Sequence, residues 1–321
     1  RSLTIPQRKD YIRATQCMMT TPSKSLKSFP DNTNRYDDFK NPFILAASLR
    51  TGIHGTGTFL PWHRYAINLW EDALREECDY KGAQPYWDWF LDTPDGGGEW
   101  EKSPLYDVEN GFGGNGVYVN QSLAGFEIPD FGSMGGGCIT NGLFKDMTVR
   151  IGPMGQMTKN NTRCITRGFS ATIAHSGASR KSLSKVLSAK TFTEFRSWAE
   201  MGSGHVTMGS GGIGFEDEGG DLHSIGHMGI GGEMMDPFNS LNDPLFWLHH
   251  TGMDRMWSLW QEVDPAKRAM DVGGPSGFFD LAPLKLETSV WVGVAGPDVP
   301  AGRVMDPLNR HGSGVLCYKY E

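Results

Sequence analysis

No run of apolar residues in this 321-residue chain approaches the ~18 needed to cross a bilayer, so a membrane-spanning helix is not expected. Positive charge is not in excess either: 30 Lys and Arg face 37 Asp and Glu, a net charge of −7. Such a chain has no electrostatic footprint for a polyphosphate, which excludes nucleic acid as the expected partner. Cysteine is scarce. The five (Cys17, Cys78, Cys138, Cys164 and Cys317) form no C-x-x-C pair, so a thiolate metal site is not indicated. The glycine clusters GFGGNG and SMGGGC, between Thr93 and Thr166, lack a strand-to-helix frame and so read as ordered loop, not nucleotide cradle. Histidine is absent ahead of His54.

What is present is a globular composition, with 38% apolar residues, 17 Phe and 10 Trp, and 42 glycines that imply much ordered loop. Helical spacing predicts helices over Pro6–Met19, Asp37–Leu49 (with Asn41-Pro42 interrupting its start), the segment from Pro61 to Cys78, and Ser182–Glu200. Leu284 to Val294 alternates enough for a strand. Sequons at Asn120 and Asn160 permit glycosylation, and five cysteines suit an oxidising compartment with two disulfides and a spare thiol, so a secreted protein is expected.

Chemistry concentrates between Asp221 and Trp257. His223 and His227 lie four apart, on one face of a helix, where their ring nitrogens can converge on one ion. His249 and His250 follow an apolar run, Leu245 to Leu248. A second constellation, T-G-I-H-G-T-G-T-F-L-P-W-H-R, places His54 in a loop and His63 in the first turn of a helix, Pro61 suiting that turn.

These segments resemble the type-3 copper proteins: tyrosinases, catechol oxidases and haemocyanins. The B-metal signature of that family, H-x-x-x-H, a Gly-Gly turn, then D-P-x-F-x-x-H-H-x-x-x-D-R-x-W, reads here from His223 and His227 through Gly231-Gly232 to Asp243-Pro244, His249-His250, Asp254-Arg255 and Trp257. The resemblance implies His223, His227 and His250 as B ligands, with His249 a neighbour facing substrate, and His54 and His63 as A ligands. It also implies a mainly α fold: an antiparallel four-helix bundle holding the metals, with long glycine-rich loops and minor β. It runs from Pro6 to the Tyr318-Lys319-Tyr320 mark that ends the catalytic domain in relatives, so a single domain over 1–321 is expected, with no shielding domain after it. Resemblance to short secreted fungal members implies Cys17–Cys78 and Cys138–Cys164 pairing. Glu216, shortly before the first B histidine, is the expected carboxylate that orders water and serves as base. Ser224, after His223, takes the position that tunes the substrate hydroxyl. Gly52 excludes a Cys–His thioether.

One departure from the pattern matters more than the match. Relatives carry a third A ligand about eight residues before the position of His54, where this chain has Ala46 within FKNPFILAASLR. The substitutes that come to hand are His175, His205 and Asn41. Side-on dioxygen binding needs two metals of matched geometry and potential, and losing one imidazole weakens the A metal. A three-histidine site with an open position can instead hold zinc and polarise a carbonyl. Fungal cyclopenases, which resemble haemocyanins yet act non-oxidatively, are the precedent. The favoured expectation is therefore a secreted zinc or copper enzyme with hydrolase- or lyase-like action on a small aromatic compound. The alternatives are a two-copper o-diphenol oxidase and a catalytically silent metal-binding protein.

Overall fold

Tyr36, Phe39 and Phe43 recur at helical spacing, and their rings tie the centre of the molecule together. The computed structural model describes residues 1–48, 52–119, 122–123, 126–127, 135–157, 161–201, 206–209, 212–215, 221–277 and 279–321. Its helices are α1 (Ile5–Met18), α2 (Asp37–Ala47), α3 (Phe59–Cys78), α4 (Ala171–Gly177), α5 (Arg180–Leu187), α6 (Phe192–Met201), α7 (Leu222–Ile230), α8 (Leu245–Val263) and α9 (Pro265–Arg268). Phe39 meets Trp70 of α3 edge-on at 5.3 Å and Trp247 of α8 at 5.8 Å. Those two indoles stack on each other at 4.5 Å. Phe43 reaches Trp62 of α3 at 5.8 Å and Phe246 of α8 at 5.1 Å. Each such pair contributes about 0.5–1.5 kcal/mol beyond its buried area. The fourth side is α7, where His223 lies 4.8 Å from the ring of Phe59 of α3. The expected mainly helical architecture forms, with α2, α3, α7 and α8 around the histidines.

Local chemistry explains where the helices begin. Thr4 and Gln7 make a reciprocal capping box ahead of α1, and Pro6 sits in its first turn. Pro42 lies inside α2 without interrupting its start. The start survives because it is anchored from outside: Asp38 accepts from Ser23, Ser25, Asn32 and Arg35, while Asp37 accepts from Thr33 and Lys40. Asp243 accepts the Leu245 amide at 2.9 Å to open α8, and its carboxylate is held by fully buried Arg167.

Two expectations about regular structure need correction. The single helix read over Ser182–Glu200 is two, α5 and α6, because Trp260 donates to the Ala189 carbonyl and Asp271 accepts the Phe192 amide at the break. That turn lets Phe192 and Phe195 pack on Trp257 and Trp260 of α8. The strand read over Leu284 to Val294 shrinks to Ser289–Val290, paired with Val299–Pro300, since Gly293 takes a positive φ of 57° and turns the chain. The glycine-rich stretch carries short two-stranded ladders, among them Gly116–Tyr118 with Gly136–Ile139. Cys17–Cys78 and Cys138–Cys164 are bonded as expected, the first tying α1 to the end of α3, and Cys317 is free and exposed.

A buried ion pair joins the two helices that carry His63 and His250. Arg64 of α3 donates to Asp254 of α8, to Ser258 and Gln261 at 3.1 Å each, and to the Met305 carbonyl. Its guanidinium lies 3.5 Å over the Trp257 ring. Tyr318 and Tyr320 both donate to the other oxygen of Asp254, clamping the C-terminal residues onto α8. Arg255, the sequence neighbour of Asp254, faces Asp88 instead.

Candidate metal centre

The helical i,i+4 pair on α7 converges with α8 as its spacing requires. His227 Nε2 lies 3.1 Å from His223 Nε2 and 3.1 Å from His250 Nε2. His227 Nδ1–H donates to the Met234 carbonyl at 2.9 Å, so in the neutral ring Nε2 presents its lone pair to the other two. Three imidazole nitrogens cannot satisfy one another at that spacing, but an ion can satisfy all three. At a metal–nitrogen distance of about 2.0–2.1 Å, tetrahedral ligand nitrogens stand about 3.3 Å apart, close to what is seen.

His63 belongs to the adjoining half of the site. Its Nδ1–H donates to the Phe59 carbonyl at 2.8 Å, while its Nε2 is buried with no partner. An unpaired buried acceptor costs about 1–3 kcal/mol, which an ion would recover. The His63 ring stacks on His250 at 4.1 Å and 7°, and His54 stands 5.7 Å from both His63 and His223. The donor set therefore fits a metal at the trio, with two further imidazoles beside it. Copper or zinc would be held by nitrogen alone in either half.

Among the described residues no third imidazole joins His54 and His63. Ala46 is fully buried. The side chain of α2 that reaches the histidines is Phe43, its ring 5.9 Å from His54 and 6.2 Å from His63. These centroid spacings are 0.8 and 1.0 Å longer than the 5.1 and 5.2 Å between His250 and its partners, and the phenyl borders the His54–His63 pair from the α2 side. Asn41 gives its Nδ2–H to Asn32 in the network that anchors α2, while its Oδ1, the atom that would have to bind an ion, is buried without a hydrogen-bond partner. His175 lies on α4, and the ring contacts that link the site's histidines do not extend to it among the described residues. His205 lies outside the described residues.

Two assignments change in the light of the fold. His249 approaches the trio to within 4.8 Å, yet it is fully buried and both its nitrogens are occupied: Trp89 Nε1–H donates to Nδ1 at 2.9 Å, and Nε2 meets the His223 carbonyl at 3.1 Å. It does not face substrate as expected. Ser224 spends its hydroxyl proton on the Glu200 carbonyl at 3.4 Å, tying α7 to α6. Glu216 lies outside the described residues.

Sequence reasoning missed Glu200. Its carboxylate accepts from the Gly55 amide at 2.5 Å, next to His54, and from Arg196 at 3.1 Å. Burial, the largest cause, lifts its pKa to about 7, with Asp221 nearby adding to the rise. The twenty residues between Glu200 and Asp221 separate it from His223 in sequence, and α6 returns it in space; the Trp198-Ala199-Glu200 helix end was its one signal.

The sequence profile for the common central domain of tyrosinase matches residues 15–263. The chain belongs to the tyrosinase family. Among its relatives, Tyrosinase P of Aspergillus terreus is 32% identical, the alignment covering 98% of this chain and 88% of the relative. An N-acetyl-6-hydroxytryptophan oxidase of Emericella nidulans is 30% identical over 100% of this chain and 90% of its own length. A variant of the polyphenol oxidase from Thermothelomyces thermophila superposes with a TM-score of 0.80 at 30% identity, covering 100% of this chain and 87% of that one. Tyrosinase-family proteins are metal-dependent and bind copper, and in this structure His223, His227, His249 and His250 form a cluster that could hold a metal ion.

In this tyrosinase-family chain His54, His63, His223, His227, His249 and His250 are held neutral. Burial is the leading cause at each, lowering His54 to about 4 and His227 to about 3, with His63, His223, His249 and His250 well below their usual range. A folded pKa below the unfolded one means that the unfolded chain takes up protons first as pH falls. Stability is therefore complete above about pH 6.5 and lost as pH drops toward 4, each imidazole contributing up to about 1.4 kcal/mol per pH unit. Urea midpoints of the metal-free protein at pH 7.5, 6 and 5 are expected to fall in that order, and a flat profile would contradict the burial of the cluster.

Proposed function

We propose that the chain is a metal-dependent enzyme acting on a small phenolic compound, with one firmly held metal at His223, His227 and His250 and non-oxidative chemistry. The observation that carries this reading is that, among the described residues, the side chain of α2 bordering His54 and His63 is the phenyl of Phe43 and not an imidazole. A divalent ion at the trio supplies Lewis acidity, in copper or zinc form. His227 is oriented for it by the Met234 carbonyl, and Glu200, anchored to the loop of His54, is placed to exchange a proton near neutral pH. Phe43, Phe59 and Phe246 form apolar walls that strengthen polar interactions within the site.

Glu200→Gln keeps the Gly55 hydrogen bond and removes the proton carrier. Turnover is expected to fall by about 10²–10⁴ with metal content unchanged, measured on the metal-loaded protein. Unchanged turnover would leave the carboxylate a structural anchor only.

A second reading, a two-copper o-diphenol oxidase, draws on the bare His63 Nε2 stacked beside His250 and on relatives named as oxidases. Metal counting separates the two. One ion per chain after dialysis, with no oxygen uptake on catechols in the copper-loaded form, is expected. Two retained coppers and steady oxygen uptake would overturn the first reading. Phe43→His then supplies a gain of function: a second ion retained, and catechol-dependent oxygen consumption raised above the parent chain. Secretion fits the two disulfides and is proposed on that ground.

A further inference from the structure

Trp89 belongs to an aromatic segment whose Trp87 and Trp89 are both buried. Core packing alone would explain their burial, but not the direction of the Trp89 indole N–H. An indole nitrogen only donates, so His249 Nδ1, 2.9 Å away, has to accept. In the neutral ring the remaining proton then sits on Nε2, which donates to the His223 carbonyl at 3.1 Å. The tautomer of His249 is thus decided by a tryptophan outside the metal-binding helices. Its ring lies nearly parallel to His223 at 16° and edge-on to His227 with centroids 4.5 Å apart. The opposite face of the seat is equally specified: a Cβ at Gly226, between the two ligands of α7, would come 2.2 Å from His249 Cε1. No side chain other than glycine leaves room for the ring there.

We infer that His249 and Trp89 form a positioning pair, a neutral strut from residue 89 to the first turn of α7 that sets where His223 aims its Nε2. The pair is not part of the ligand set, although His249 stands among the ligands. The inference rests on the trio as the metal seat, but the strut itself exists without metal. A strut of this kind holds the His223 backbone against α8 while His227 is held separately by the Met234 carbonyl. The two ligands of α7 therefore have independent supports, one reached through residue 89 and one through residues 231–235. Outer partners of metal ligands commonly govern affinity by about 10–100-fold.

Two measurements test the strut. In the metal-free protein, nitrogen-15 shifts of the His249 ring are expected to show an unprotonated Nδ1 and a protonated Nε2, and Trp89→Phe is expected to abolish that preference. The reverse tautomer in the parent chain would overturn the strut whether or not metal binds. In the cobalt(II)-loaded protein, Trp89→Phe and His249→Phe are expected to weaken binding about 10–100-fold and shift the visible bands, with His249→Gln, which retains a donor for the His223 carbonyl, recovering part of the loss. Equal affinity and identical bands in all four proteins would reduce the pair to packing. Loss of one coordinated nitrogen on His249→Phe in copper(II) spin-echo spectra would make His249 a ligand and overturn the inference. A parent chain that binds no cobalt at all would overturn the trio reading and the positioning role together, while the nitrogen-15 result would still report on the strut.

Discussion

Replacing His227 with alanine is expected to strip the chain of tightly bound metal, while replacing His63 leaves one ion in place. The asymmetry follows from position. His227 is the imidazole whose Nε2 lies 3.1 Å from both other nitrogens of the trio, so its removal leaves two ligands that face an empty corner. Four-ligand structural zinc sites bind with about 10–16 kcal/mol, roughly 3 kcal/mol per ligand, so one lost arm weakens affinity by about 10²-fold or more. His63 serves a half in which no third imidazole stands among the described residues, and its loss is expected to remove only a weak second ion. Competition against a chelator of known affinity, followed by elemental analysis, reads both variants. Equal losses in the two would mean that the halves share one ion, and would remove the distinction on which the proposed chemistry rests.

Asp254→Ala is expected to give a large loss of stability. It leaves Arg64, which has no exposed surface, without its anion, and leaves two phenol hydroxyls without their acceptor. Removing one partner of a buried pair costs about 3–5 kcal/mol, because the other charge stays uncompensated. At about 2.1 cal/mol/K of unfolding entropy per residue, that is roughly 4–7 °C of melting temperature for a chain of this length. Arg64→Met combined with Asp254→Leu is expected to recover much of it, since replacing both partners leaves no orphan charge. The damage reaches the site as well. Arg64 follows His63 directly and Asp254 lies four residues beyond His250, so loosening the pair frees the stacked His63 and His250 rings to slide apart. Denaturant midpoints, with the parent and double variant alongside, measure the effect; a loss under about 1 kcal/mol would mean that water reaches Arg64.

How much of this was legible beforehand varies residue by residue. The His223–His227 pair was readable because helical periodicity alone puts positions four apart on one face. His250 needed the longer signature through Asp254 and Trp257, a resemblance and not a spacing. The Cys17–Cys78 and Cys138–Cys164 pairing came from the same source. The break between α5 and α6 was not readable, because what stops the helix at Ala189 is a hydrogen bond from Trp260, distant in sequence. Glu200 was missed for a similar reason: nearness to His223 along the chain pointed to Glu216, and nearness in space depends on how α6 lies against α7.

By itself the sequence determined which helices form around the histidines, that His223 and His227 share one helix face, and that no imidazole precedes His54. These are properties of periodicity and of residue identity, which need no neighbours. Only the tertiary structure decided that Phe43 borders His54 and His63, that Arg64 and not Arg255 answers Asp254, and that His249 is locked by Trp89. Each of those depends on which side chains from remote segments arrive at one place, and a buried group takes whichever partner satisfies its hydrogen bonds there.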